Sequence, residues 1–258
     1  MYEAVMMAAT GLTNQQRRID SIADNVANVN TAGYRAERLD FKDALYTAGI
    51  VPATPRTPEG NQQHGHGVMI ASITREFFQG GITETGNQLD FALEGKGFFE
   101  LTDQNGELVY TRGGNFYLSD KGDGGLYLVN SSGYYVNDEN GDAITAPLDT
   151  TSVSVSEDGT ISFLTGDAAT ETKLGIYGFR NEAGLNAVGS GNFAQSEISG
   201  EKYERRDVRL IQGSLEMSNV NLAQEMTRLI RAQRAFSLAG RALTTADDME
   251  GLANSLRR

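Results

Sequence analysis

The feature that most constrains the fold of this chain is a seven-residue repeat of apolar side chains near its N-terminus. The repeat forms two rows of positions, offset by three residues: Val5, Leu12, Ile19 and Val26, then Ala8, Gln15, Ile22 and Val29. Two such rows, repeated every seven residues, are typical of the a and d seam of a coiled coil. The pattern therefore predicts an N-terminal helix with an apolar seam.

The sequence also predicts where this first helix ends. Residues 28–31 favour caps and turns over helix interiors, and Gly33 can adopt a positive φ. The mixed charged and apolar residues that follow predict an extended segment or a short second helix. The repeat itself has two interpretations, a coiled-coil seam or an ordinary amphipathic helix packed on its own domain.

A second and softer heptad pattern lies near the C-terminus. Its first row is apolar, and its second row includes polar and small residues: Leu222, Leu229, Phe236 and Leu243, then Met226, Gln233, Gly240 and Asp247. The pattern predicts that helix returns near Arg206. Ser218-Asn219 is one candidate N-terminal cap, and Asn221 is the alternative.

The stretch between the helical ends is rich in turns. Of the 30 glycines, 25 lie between residues 41 and 205. The pairs Asn105-Gly106, Asn140-Gly141 and Asp158-Gly159 each separate two alternating apolar runs, a strong indication of β-hairpins.

These patterns predict an α+β fold in which the two heptad helices pair as a coiled coil and a β-rich domain is inserted between them. The predicted terminal helical assembly region comprises residues 1–48 and 206–258. A Pro/Gly-rich connector at 49–67 leads into the β-rich middle domain at 68–205.

Charge follows the same division. The net charge is −12, of which residues 41–205 carry −13, while the two ends are close to neutral. An acidic middle with near-neutral ends predicts that the chain binds no nucleic acid. It fits a solvated middle domain and ends that contact other protein.

The sequence lacks the residues needed for thiol chemistry, metal binding and phosphate binding. The chain has no Cys, His64 and His66 form a poor metal site, and Gly95-Lys96 fails the phosphate-loop pattern. With no catalytic constellation, we predict no enzymatic activity, no cofactor, no metal site and no small-molecule ligand. The first residues lack signal-peptide features, and no apolar run is long enough to span a bilayer.

Four stretches resemble the bacterial flagellar rod and hook proteins. The first matches the pattern Asn-x-x-Thr-x-Gly-aromatic-basic, and the last lies in residues 213–221; their signature residues are Asn28, Thr31, Gly33, Tyr34, Arg35, Ser218, Asn219, Val220 and Asn221. Residues 93–99 and 110–116 resemble the β domain of the same family. Chain length and the C-terminal run favour the distal branch of rod proteins, with the proximal branch as the alternative.

The resemblance implies a structural subunit that polymerises into the hollow rod of the flagellar basal body and transmits torque from motor to hook. Its implied partners are further copies of itself, other rod and hook subunits, and the flagellar type III export apparatus, which exports such subunits without a cleaved signal peptide. The predicted assembly interface comprises the apolar seam residues Val5, Leu12, Ile19, Ile22, Val26, Val29, Leu222, Met226, Leu229, Phe236 and Leu243. Two rival classes are a soluble ligand-binding or adhesive β module and an enzyme.

Overall fold

The computed structural model describes residues 2–44, 46–50, 61–65, 67–122, 124–166 and 168–256. The chain is α+β, with one long helix near each end and a large β-rich part between them. It divides into two compact units, the first made of residues 1–27, 37–74 and 221–258 and the second of residues 28–36 and 75–220. Within the described residues, no helix is long and apolar enough to cross a bilayer.

The first unit contains both helices. Its elements are α1 (Tyr2–Ala27), β1 (Glu37–Asp43), β2 (Tyr46–Ile50), β3 (Asn61–Gly65), β4 (Val68–Arg75) and α2 (Leu222–Leu256). β1 pairs with β4, and β2 pairs with β3. Residues 51–60 and 66 of the predicted connector lie outside the described residues.

Local hydrogen bonds and backbone conformation explain where α1 ends and where α2 begins. After α1, the amide of Thr31 donates to the carbonyl of Asn28, and Gly33 adopts a φ of +70°, so the predicted turn is confirmed. At the start of α2, the Asn221 side chain accepts a hydrogen bond from the Gln224 amide at 3.2 Å. Asn221, the alternative cap, is therefore the one that the helix uses.

The second unit is built from short strands. They are β5 (Ile82–Glu84), β6 (Phe91–Glu94), β7 (Phe98–Thr102), β8 (Leu108–Thr111), β9 (Phe116–Asp120), β10 (Leu126–Asn130), β11 (Tyr135–Val136), β12 (Thr145–Ala146), β13 (Ser152–Val155), β14 (Thr160–Thr165), β15 (Ala168–Lys173), β16 (Ile176–Phe179), β17 (Asn186–Gly189), β18 (Asn192–Ala194), β19 (Lys202–Glu204), β20 (Arg209–Gln212) and β21 (Ser214–Glu216). A 3₁₀ turn, Glu182–Gly184, precedes β17.

Ten strands of this unit form one sheet, along which β12, β10, β11, β7, β8, β18 and β17 are successive neighbours. β13, β14 and β15 form a second sheet, while β6 pairs with β20 and β5 with β21. The predicted hairpins at Asn105-Gly106 and Asp158-Gly159 are confirmed by the antiparallel pairs β7–β8 and β13–β14. At Asn140-Gly141 a bridge joins Asn137 to Ala143, and the amides of Asp138 and Ile144 donate to the carbonyls of Asp142 and Val136.

The segment just before α2 corrects one prediction. The sequence predicts helix from about residue 206, but residues 209–212 and 214–216 are strands β20 and β21. Val208 and Leu210 are buried in the main apolar core, together with Phe91, Leu93 and Phe99. This burial overrides the helical interpretation and joins the segment to the β-rich unit.

A truncation tests this assignment. A fragment of residues 68–220 should unfold cooperatively, whereas a fragment of residues 68–205 should melt at a lower temperature and less cooperatively. The shorter fragment loses Val208 and Leu210, each contributing about 1.5–3 kcal/mol by burial, and leaves β5 and β6 unpaired. Circular dichroism melts of the two fragments are the measurement; equal melting temperatures would contradict the assignment.

Candidate functional site

The most constrained part of the second unit is a buried group of three charged side chains, here named the charged junction: Arg35, Arg112 and Glu216. One oxygen of Glu216 lies 2.8 Å from Nη1 of Arg35, and the other lies 2.8 Å from Nε of Arg112. All three side chains are buried. Arg35 follows the turn after α1, Arg112 follows β8, and Glu216 ends β21, so the junction ties together three distant stretches of sequence.

Backbone groups complete the coordination of these charges. Arg112 donates from Nη1 to the carbonyl of Gly97 at 2.6 Å and from Nη2 to that of Gly95 at 2.7 Å. Burial lowers the pKa of Arg112, and the attraction of Glu216 opposes that shift. Glu216 also accepts from the amide of Gly80 at 2.8 Å. A buried ion pair requires this kind of additional hydrogen bonding to be tolerated.

Glycine is required where the backbones meet. The Gly33 amide donates to the backbone carbonyl of Glu216 at 2.8 Å. A Cβ at Gly33 would lie 2.3 Å from the amide nitrogen of Gly113, and one at Gly114 would lie 1.7 Å from the carbonyl oxygen of Phe91. Neither position has room for any side chain. The close approach of the backbones therefore explains why the family signature has a glycine at position 33.

Asn219 links the two signature stretches. Its side-chain oxygen accepts from the Ala36 amide at 2.7 Å, and its Nδ2 donates to the carbonyl of Glu76 at 2.6 Å and to that of Phe78 at 3.1 Å. The Asn219 amide also donates to the carbonyl of Tyr34. The predicted Ser218-Asn219 cap is therefore wrong, because Asn219 instead holds the segment that leaves α1.

The remaining signature residues have local roles. Asn28 accepts from the Thr31 hydroxyl at 3.1 Å, and Ser218 accepts from the Val220 amide at 3.3 Å. The structure thus gathers Gly33, Tyr34, Arg35 and Asn219 at or beside the charged junction, while Asn28, Thr31, Ser218, Val220 and Asn221 shape the turns next to the helices.

Sequence reasoning did not single out Arg112 and Glu216. Both lie in stretches that resemble the family, but a charged residue in a sequence is by default interpreted as solvent-exposed. The available signal was the Arg112-Gly113-Gly114 run, in which a charge precedes two glycines that permit close backbone approach.

In the first unit, α1 and α2 are in contact. Of the predicted interface on α1, Ile22 is buried with 5% of its surface exposed, and the half-buried positions are Val5, Leu12, Ile19, Val26 and, beyond the helix end, Val29. The polar face of α1 is also engaged, because Asn14 donates to the carbonyl of Val68. The side chain of Asn25 makes two backbone hydrogen bonds to Glu37.

On α2, the buried row is one residue away from the predicted second row. Glu225, Ala232 and Ala246 are buried, and Ala239 at the same heptad position is half-buried. Leu229 and Leu243 of the predicted first row are half-buried, whereas Leu222, Phe236 and Met226 are exposed.

Both helices leave large apolar side chains exposed in the single chain. The set comprises Met6, Met7, Leu222, Met226, Ile230, Phe236, Leu238, Met249 and Leu252. Exposed apolar surface of this extent is typical of surfaces that bind other protein. In the described residues, no group of three or more acidic, His or Cys side chains is placed to hold a metal ion.

Three family models match the chain. "Flagella basal body rod protein" matches residues 7–35, "Flagellar hook protein FlgE/F/G D1 domain" matches residues 92–163, and "Flagellar basal body rod FlgEFG protein C-terminal" matches residues 211–256. Arg35, Arg112 and Glu216 fall one in each matched stretch. The charged junction is therefore the place where all three stretches meet.

Full-length relatives agree with these matches. The chain is 39% identical to the flagellar basal-body rod protein FlgG of Borreliella burgdorferi, with 100% of both chains covered. It is 35% identical to FlgG of Agrobacterium fabrum, covering 97% of this chain and 98% of that one. It is also 31% identical to the flagellar hook-basal body complex protein FlhP of Bacillus subtilis, with 100% of both covered.

Proposed function

The chain belongs to the family of bacterial flagellar basal-body rod proteins and is a structural subunit, not an enzyme; we propose that it polymerises through its terminal helices into the hollow drive shaft that transmits torque from motor to hook. The observation that carries this proposal is the set of large apolar side chains exposed on α1 and α2. Covering these surfaces with neighbouring copies would remove apolar area from water at about 25 cal/mol per Å².

Coiled-coil pairing of α1 and α2 is part of the same proposal. Support comes from the seven-residue repeats, the contact between the two helices and the row Glu225, Ala232, Ala239 and Ala246 on α2. The three alanines of this row are small enough to allow a partner helix to approach closely.

The proposed assembly partners and export route are those implied by membership of the rod-protein family. The relatives are flagellar basal-body proteins, which supports the proposal that this chain assembles there with further copies of itself and with other rod and hook subunits. We propose delivery by the flagellar type III export apparatus, with the helices unfolded until they reach the growing rod. An apolar seam that has no assembled neighbour gains little from helix propensity alone, so ordering would accompany addition to the rod.

Amide hydrogen exchange on dilute, verified monomer tests this last step. Residues 5–29 and 222–256 should exchange within seconds, as expected for segments that open locally at little cost in free energy, while the strands of the second unit stay protected. The same residues should become protected in assembled rods. Strong protection of both helices in the monomer would contradict conditional folding and favour a self-contained β module with helical ends.

A further inference from the structure

A cavity of about 300 Å³ lies beside the charged junction in the second unit. Its lining combines cationic, aromatic and acidic side chains: Arg35, Lys96, Arg112, Phe77, Phe78, Phe98 and Glu182. Lys96 is exposed, whereas Arg35 and Arg112 are buried. A volume of about 300 Å³ is at the lower end of the range for small-molecule sites, which suits a single side chain or a small acid.

The charges around this cavity do not balance. Arg35 and Arg112 share one buried carboxylate, that of Glu216. Glu182 offsets part of the excess, since it attracts Arg112, but Lys96 adds a further positive charge. The lining and the junction together retain one excess positive charge. The excess lies at Lys96, which is exposed, so it is solvated rather than buried; it favours an anion at the mouth of the cavity.

One buried donor at the junction also has no acceptor. Arg35 uses Nη1 for Glu216 and for the carbonyl of Phe78, while its Nε is buried and has no hydrogen-bond partner among the described residues. Nε and Nη2 share the edge of a guanidinium that binds a carboxylate through two parallel hydrogen bonds. A buried donor with no acceptor is costly; because Arg35 lines the cavity, a small movement of its side chain that brings Nε within reach of an acceptor there would remove this cost.

We propose that this cavity binds a carboxylate, with Arg35 and Lys96 as its cationic partners and the phenyl rings of Phe77, Phe78 and Phe98 packed against the carbons next to it. The occupant is an Asp or Glu side chain of a second copy, because residues 41–205 of each copy carry a net charge of −13. The identity of the occupant rests on the proposed polymerisation, whereas the site itself does not.

Calorimetric titration of the full-length monomer tests the site. Phenylacetate, which joins a carboxylate to an aromatic ring, should bind in the millimolar range, and the neutral phenylacetamide should bind at least tenfold more weakly. The ¹H–¹⁵N resonance of Arg35 Nε should shift at saturation. Lys96→Gln should weaken phenylacetate binding about three- to fivefold, while the matched variant Lys42→Gln, at an exposed lysine of β1, should leave it unchanged.

Three results would overturn the site: equal binding of phenylacetamide, equal loss in the two lysine variants, or inorganic phosphate binding as tightly as phenylacetate.

The occupant is tested in rods assembled from mixed ¹⁴N- and ¹⁵N-labelled subunits and coupled with a carbodiimide. A link from Lys96 to a carboxylate of a second copy supports the proposed occupant. If phenylacetate binds but Lys96 forms no such link, the site stands and its carboxylate is a soluble one. A failure to polymerise would count against the proposed function alone.

Discussion

Replacing Glu216 with glutamine is expected to lower the free energy of unfolding of the second unit by about 3–5 kcal/mol. The substitution preserves the size of the side chain but removes the carboxylate shared by Arg35 and Arg112. Two buried guanidinium groups then face each other with no anion between them. The turn after α1, the end of β8 and the end of β21 should loosen together, because all three supply residues of the charged junction.

Urea denaturation followed by circular dichroism measures this loss. Glu201→Gln is the matched control, since it makes the same chemical change at an exposed carboxylate, where substitutions usually change stability by less than about 0.5 kcal/mol. If both variants unfolded at the same urea concentration as the parent chain, the junction would contribute nothing specific to stability.

Replacing Ile230 with aspartate should prevent assembly and leave the β-rich second unit folded. Ile230 is 51% exposed in the single chain, so the charge is solvated before assembly. When a neighbouring copy covers this position, an unpaired charge becomes buried at a cost of about 3 kcal/mol. A loss of that size raises the concentration needed for polymerisation by roughly a hundredfold. Met226→Asp, at another exposed position of α2, should behave in the same way.

Swimming in soft agar and a thermal melt of the purified subunit check this prediction together. Gln224→Asp introduces the same charge change at an exposed polar position of α2 and should swim normally. Ile22→Asp is a poorer probe, because Ile22 packs within its own chain once the helices are ordered, so its loss would disturb the first unit as well as any contact between copies. Normal swimming of the Ile230 variant would show that this position is not covered in the rod.

Local features of the fold were predictable because neighbouring residues determine them. The Asn-Gly and Asp-Gly pairs set the hairpins through the positive φ that their turns require. The end of α1 was predictable from residues 28–33, because residues 28–31 favour turns and Gly33 can adopt a positive φ. The buried row on α2 was harder to place, since Ala232, Ala239 and Ala246 contribute little hydrophobic signal, whereas the exposed Met226 contributes more.

The charged junction could not be predicted because its partners are distant in sequence. No periodic pattern connects Arg35 to Arg112 or to Glu216, and burial of all three depends on close approach of backbones at Gly33 and Gly114. The sequence likewise places residues 206–216 in the helical end, because their strand partners are also distant in sequence. Their place in the β-rich unit depends on pairing with β5 and β6, more than a hundred residues earlier in the chain.

The most direct test of assembly through the terminal helices is electron microscopy of basal bodies purified from cells in which Ile230→Asp is the only source of this subunit. We expect basal bodies that lack the rod segment built by this protein and carry no hook, while the variant subunit remains unassembled and its second unit stays folded. Complete rods that carry hooks would contradict the account, because they would show that the exposed apolar surface of α2 is not an assembly interface.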